Sequence, residues 1–174
     1  RQFPDGLWDQ VAASLEKLEQ DAGLVLGDPE RPLLVSVRSG ARVSMPGMME
    51  TVLDLGLNDA TVEGLAAWTR NERFAWDCYR RFITMFANVV LGIRREAFDE
   101  HLDAVKARLG VATDSEVPAG ELKKLTQTYK DVVSARTGAP FPDDPRDQLR
   151  LAVKAVFDSW FAKKATEYRR IHGI

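Results

Sequence analysis

One short run, Leu33-Leu34-Val35-Ser36-Val37, has the apolar and β-branched density of a buried strand, in a chain whose other apolar residues recur mostly at helical spacing. The strand breaks at Arg38, Ser39 and Gly40 into a loop holding Pro46 and Gly47, and a short apolar piece follows at 51–57. The predicted class is therefore α+β, predominantly α-helical. Strand-to-loop junctions of this kind commonly hold function. Arg31, Arg38 and Arg42 fall between Glu30 and Glu50, with no acidic residue between those two, so the stretch is locally positive although the whole chain carries a net charge of -2.

Those parts suit a phosphate. Guanidinium groups make forked, charge-assisted hydrogen bonds to phosphoryl oxygens. Gly40 and Gly47 let backbone N–H groups approach a ligand without a Cβ in the way, and Ser39 and Ser44 add hydroxyl donors. The same composition would equally serve a surface loop with solvated arginines. Neither G-x-x-x-x-G-K-[ST] nor G-x-G-x-x-G occurs, so this is not one of the familiar glycine-rich nucleotide loops.

Around this element the chain reads as helices. Residues 4–23 carry a stripe of Leu7, Val11, Leu15, Leu18 and Ala22, stopped by Gly23. Asn58 or Asp59 caps a helix over about 61–69. Residues 71–91, capped by Asn71, place Phe74, Cys78, Phe82, Met85 and Val89 on one wall, widened by Tyr79, Ile83, Phe86 and Val90, with Arg73, Asp77, Arg80, Thr84 and Asn88 opposite. This wall predicts core packing and an inert Cys78. Arg80 is expected to pair with Asp77. Arg81 falls at the border of the wall, where its head either reaches a neighbouring cleft as a second phosphate contact or lies on the surface. Further helices are predicted over 95–109, ended by Gly110, and over 120–136, ended by Gly138. A last helix starts at Asp144 and Pro145 and is expected to bury Leu149, Val153, Val156, Phe157, Trp160 and Phe161.

Composition narrows the function classes. A pI near 5.8 gives no reason to expect nucleic acid. No apolar run approaches 18 residues, so no membrane span is predicted. One cysteine excludes an internal disulfide and fits a reducing compartment. No His/Cys/Asp/Glu set has metal-ligand spacing. His101 and His172 are the only histidines, and both read as surface or helix-end residues.

The string LLVSVRSGARVSMPGMMETVLDLGLND closely resembles the ATP-binding domain of the pyruvate, phosphate dikinases, and the likeness continues through TVEGLAAWTRNERFAWDCYRRFITMF, FPDDPRDQL and AVFDSW to YRRIHGI. Val43 and Glu50 stand where the resemblance leads one to expect a smaller residue and Asp. Phosphoenolpyruvate synthases carry a looser version of the VRS element and are the nearest alternative. A non-catalytic helical interaction or regulatory module is a further one.

The resemblance implies part of an ATP-grasp domain with a helical insertion: residues 1–59 as a partial strand and loop element with its N-terminal helix, 60–140 as the insertion that closes over nucleotide, and 141–174 as a helix returning to the domain. It implies a phosphotransferase that converts ATP, phosphate and pyruvate to AMP, pyrophosphate and phosphoenolpyruvate through a histidine on another domain. The expected partners are ATP, phosphate and the remaining domains of a cytoplasmic, homodimeric enzyme, with neither nucleic acid nor membrane among them. Mg²⁺ would accompany ATP, its carboxylate ligands lying outside this chain, and the chain alone is expected to be inactive. Arg38 would be the catalytic residue, neutralising charge on the ATP phosphates. Ser39, Arg42, Gly47, Met48 and Met49 would complete the phosphate site, with Arg81 as the outlying contact.

Overall fold

Strands β1 (Val35–Arg38) and β2 (Thr51–Leu55) pair antiparallel, with Val37 opposite Val52, Arg38 opposite Thr51, and an irregularity before Val35 meets Leu55. The computed structural model describes residues 3–40 and 42–174; residues 1, 2 and 41, the last within the SVRSGAR string, lie outside the description. Seven α-helices accompany this ribbon among the described residues: α1 (Leu7–Ala22), α2 (Asp59–Thr69), α3 (Glu72–Val89), α4 (Glu96–Leu109), α5 (Ala119–Thr137), α6 (Pro145–Ser159) and α7 (Lys163–His172). The protein is α+β and predominantly helical, as the sequence predicts.

A two-stranded ribbon is marginal in water and has to lean on something. Val52 and Leu55 turn inward with no exposed surface, and helices α3 and α6 form the backing. Helix α3 is the axis of the molecule, covered by α2, α5 and β2. Phe82 and Phe86 meet Phe141, from the crossing into α6, edge to face at 5.8 and 5.4 Å between ring centroids. On the far side Phe98 of α4 meets Tyr129 of α5 at 5.0 Å.

Several boundaries follow from local chemistry. The Asn58 side chain accepts from the Ala60 and Thr61 N–H groups, while the Thr61 hydroxyl accepts from the Asn58 N–H, a reciprocal capping box. Asp144 caps α6 through the N–H groups of Arg146 and Asp147, and Pro145 opens the helix. Gly64 lies where α2 crosses the turn after Asp28; a Cβ there would stand 2.0 Å from the Pro29 carbonyl oxygen, so only glycine allows the approach.

The structure corrects three expectations. The buried face of α3 is rotated by roughly a quarter turn from the wall read off the wheel: Ala75, Trp76 and Arg80 are inside, whereas Phe74 is 45% exposed and Cys78 only half-buried. The cause is α5, which packs along the side of α3 that the wheel assigned to solvent. The final segment is two helices, interrupted at 160–162, where successive turns close from Phe157, Asp158 and Ser159 onto Trp160, Phe161 and Ala162. Phe157 and Phe161 consequently stay about half exposed, at 47% and 50%, instead of burying α6.

Gln148 ties the ribbon to α6. It is fully buried; its Oε1 accepts from the Gly56 N–H at 3.1 Å, and its Nε2 donates to the carbonyls of Leu57 and Pro142, each at 2.9 Å. Replacing Gln148 with Leu keeps the volume and strands three backbone groups, those of Gly56 and Leu57 buried and that of Pro142 partly so. The expected loss, at about 1 kcal/mol or more for each group, is about 3 kcal/mol in total by urea unfolding; a loss below about 1 kcal/mol would show that these groups find other partners.

Candidate functional site

The loop between the strands is anchored at its base by the pairing of Arg38 with Thr51. Within it, Met45 to Met48 form a turn in which the Met48 N–H donates to the Met45 carbonyl at 3.1 Å. Pro46 pre-sets the second position, and Gly47 takes the left-handed conformation, φ +71°, that the third position requires. Met45 is buried and pins the turn to the body of the protein, while Arg42, Val43, Ser44, Pro46 and Gly47 are exposed.

This geometry creates a cleft of about 670 Å³, lined by Arg38, Ser39, Arg42, Ser44, Gly47 and Met49 among others. No carboxylate lines it among the described residues. Neither Arg38 nor Arg42 forms an ion pair with a described residue, and both are exposed. Two guanidiniums with no internal counter-ion, beside hydroxyls and an open glycine backbone, form a site for a polyanion. An added Cβ at Gly40 or Gly47 would meet no atom within 4 Å, so the space beside both backbones is open. The Met48 N–H is spent inside the turn.

A second cleft of about 500 Å³ adjoins the first and shares Arg38, Ser39, Arg42 and Met49. Its far wall is Val156, Phe157, Trp160 and Phe161, from the end of α6 and the corner after it. The sequence reading missed this aromatic wall because it assigned those rings to a continuous buried helix. The signal was available in the spacing, which clusters three rings within five residues just where α6 ends.

Arg81 is not brought into either cleft. It is exposed and lines a third cleft of about 560 Å³, formed with Arg73, Asp77, Arg80 and Asp114 at the α3 surface. The Arg80 head, 7% exposed, donates to Asp77 at 2.7 and 3.0 Å, so the predicted pair exists but is buried rather than solvated. Arg73 donates to the carbonyls of Val117 and Asp114 at 3.1 and 2.7 Å and holds the turn after α4.

Asp54, in β2, is half-buried and in a left-handed conformation, φ +56°, within the field of Arg81. Burial pushes its carboxyl above the ordinary range, and the charge of Arg81 offsets this in part. Cys78 lies within the field of the same two residues. Burial, then the charges of Asp54 and Asp77, push its thiol up to about 11, so it is protonated and unreactive at neutral pH. Among the described residues no group of three or more His, Cys, Asp or Glu could hold a metal ion, and the arginine cleft offers no carboxylate to a divalent cation. No helix among them is long and apolar enough to cross a membrane.

Residues 1–174 match the family model described as the pyruvate phosphate dikinase, AMP/ATP-binding domain. The chain is similar to pyruvate, phosphate dikinase 2 of Oryza sativa subsp. japonica, at 54% identity over 99% of this chain and 19% of the relative. It is 51% identical, over its whole length and 18% of the relative, to the chloroplastic pyruvate, phosphate dikinase 1 of Arabidopsis thaliana. Against pyruvate, phosphate dikinase of Giardia intestinalis it is 52% identical, over 99% of this chain and 20% of the relative. The chain thus spans about a fifth of the length of the curated relatives it matches.

Asp54 gives a pH test. Below the unfolded carboxyl value of 3.8 both states are protonated and the group contributes nothing; as pH rises, the unfolded chain ionises first, so the fold loses stability until the raised native value is passed. Asp54→Asn keeps a residue tolerant of positive φ and removes that loss. The expected outcome is a higher Tm than wild type at pH 7 and no difference near pH 3. Equal Tm values at both would show that Arg81 fully compensates the burial.

Proposed function

The chain belongs to the pyruvate phosphate dikinase AMP/ATP-binding domain family, and on that premise we propose that it is the ATP-binding part of an enzyme that converts ATP, phosphate and pyruvate to AMP, pyrophosphate and phosphoenolpyruvate. The observation that carries the reading is the cleft at the loop joining β1 and β2, lined by Arg38 and Arg42 and, among the described residues, by no carboxylate. A polyphosphate is the ligand whose charge and forked oxygens such a pair complements.

Arg38 stands at the base of the loop, where ribbon pairing limits its motion, and is the catalytic residue in this reading. It neutralises charge on the ATP phosphates as the pyrophosphoryl group leaves for a histidine on another domain. Arg42 and the Ser39 hydroxyl hold the neighbouring phosphates, and the backbone from Gly47 to Met49 closes the site from the loop side. The Met48 N–H, already donating to Met45, acts by fixing the turn. Arg81, on the surface of α3, is the outlying contact in this reading. Catalysis of this kind is positioning plus electrostatics, with little covalent work for the protein.

Mg²⁺ enters with the nucleotide, bound through its phosphates; no lining carboxylate of the arginine cleft is available to hold it. The enzyme's other domains, its homodimeric state and its placement in the cytoplasm belong to the same proposal and rest on family membership. Nucleic acid and membrane are not among the proposed partners.

Arg38→Met in the full-length protein tests the reading, because it keeps much of the stem and removes the charge. Single-turnover pyrophosphorylation from MgATP should fall about a hundredfold or more, while phosphoryl exchange between pyruvate and phosphoenolpyruvate survives. Survival of both reactions would remove Arg38 from the site, and loss of both would make it a residue of the fold.

A further inference from the structure

The arginine loop is long and mostly exposed, so something outside it has to fix where its arginines stand. Among its described residues the interior supplies one buried side chain, Met45. The ribbon ladder ends where Arg38 meets Thr51, which leaves Glu50 just beyond the last paired residue. Glu50 is held twice from elsewhere. Its N–H donates to the Ser159 hydroxyl at 3.2 Å, and its carboxylate pairs with the Lys164 ammonium at 2.6 Å. The first contact comes from the last residue of α6 and the second from the first turn of α7.

The corner that supplies both contacts is itself fixed. Ser159 is 6% exposed and donates its own proton to the Val156 carbonyl at 2.6 Å, which aims a lone pair at Glu50. Arg169 of α7 donates to the Trp160 carbonyl at 2.6 Å and lays its guanidinium 4.0 Å over the Trp160 ring. Met49, one residue before Glu50, lines both clefts. A chain of direct contacts therefore runs from α7 through the corner to the wall of the arginine cleft.

We propose that Ser159 and Lys164 are positioning residues: by clamping Glu50 they set the place of the loop, and with it the affinity for a nucleoside triphosphate, without touching the ligand. The proposal rests on the phosphate reading of the loop and adds to it two residues, one from α6 and one from α7, that the reading does not use. Lys164 also neutralises the carboxylate nearest the anion site in sequence, so that Glu50 anchors the loop without repelling phosphate.

MgATP binding to the full-length protein, measured by titration calorimetry beside thermal unfolding, tests this. Ser159→Ala should weaken MgATP about threefold to tenfold, the factor a lost hydrogen bond imposes on an equilibrium, with Tm near wild type. Glu50→Lys decides between clamp and simple charge. If charge alone matters, an added cation beside the anion site tightens binding; if the clamp matters, repulsion from Lys164 frees the loop and binding weakens. Lys164→Glu should also weaken binding, by about twofold to fourfold for a partly exposed pair, and the Glu50→Lys/Lys164→Glu exchange should restore it. Lys163→Glu, the same charge change one residue away, should leave affinity within about twofold.

Tighter binding by Glu50→Lys, or strictly additive effects in the exchange, overturns the proposal, as does wild-type affinity in Ser159→Ala. Should Ser159→Ala lose its fold, the direction of the Glu50→Lys change settles the question alone. Arg38→Met separates the two readings: wild-type MgATP affinity in that variant sinks the phosphate site itself. Its loss, together with normal binding by the Glu50 and Ser159 variants, sinks only the clamp.

Discussion

A ribbon of two short strands cannot stay folded in water by itself, and the arrangement of this protein follows from how that ribbon is backed. Val52 and Leu55 need a greasy partner on the inner face; α3 supplies it with Phe82, Ile83 and Phe86, and α6 closes the end. Once α3 is committed to the ribbon on one side, its remaining apolar surface requires α2 and α5, and α5 in turn requires α4. The outer side of the ribbon is left with the loop. The arginines can then remain unpaired, because the structure that holds them is built without their help.

Much of this was legible in the sequence where a local rule decided it. The Asn58 and Asn71 caps, the Asp144-Pro145 helix start, and the glycine stops at Gly23, Gly110 and Gly138 all depend on one or two residues and their own backbone. The strand-to-loop break and its excess of arginine were legible for the same reason, since no acidic residue lies near enough in sequence to neutralise them.

What the sequence hid depended on partners distant along the chain. The wheel of α3 has apolar residues on more than half its circumference, so which arc is buried is decided by α5, and Arg80 went inside with Asp77 as its counter-ion. The Arg80–Asp77 pair and the place of Arg81 at a cleft were legible from the wheel; the burial of the pair was not. The break after Ser159 carries neither proline nor glycine, and without it the rings of Phe157 and Phe161 pass for ordinary core. Gln148 and Gly64 are of the same kind: a polar residue and a flexible one inside helices, each explained only by the backbone that comes to meet it.

The amide of Gln148 has a consequence for the order in which the protein can be made. It joins Gly56 to a residue 92 positions later, so the ribbon leaves the ribosome well before the helix that satisfies its exit strand. At ordinary translation rates of about 5–20 residues per second, that interval is roughly 5 to 18 seconds. During it, α3 can already cover the inner face, but the buried N–H of Gly56 and carbonyl of Leu57 have only water or a stray partner. The arginine loop is thus encoded early and reaches its working position late, when synthesis of residues 145–162 supplies α6 and the corner that follows it.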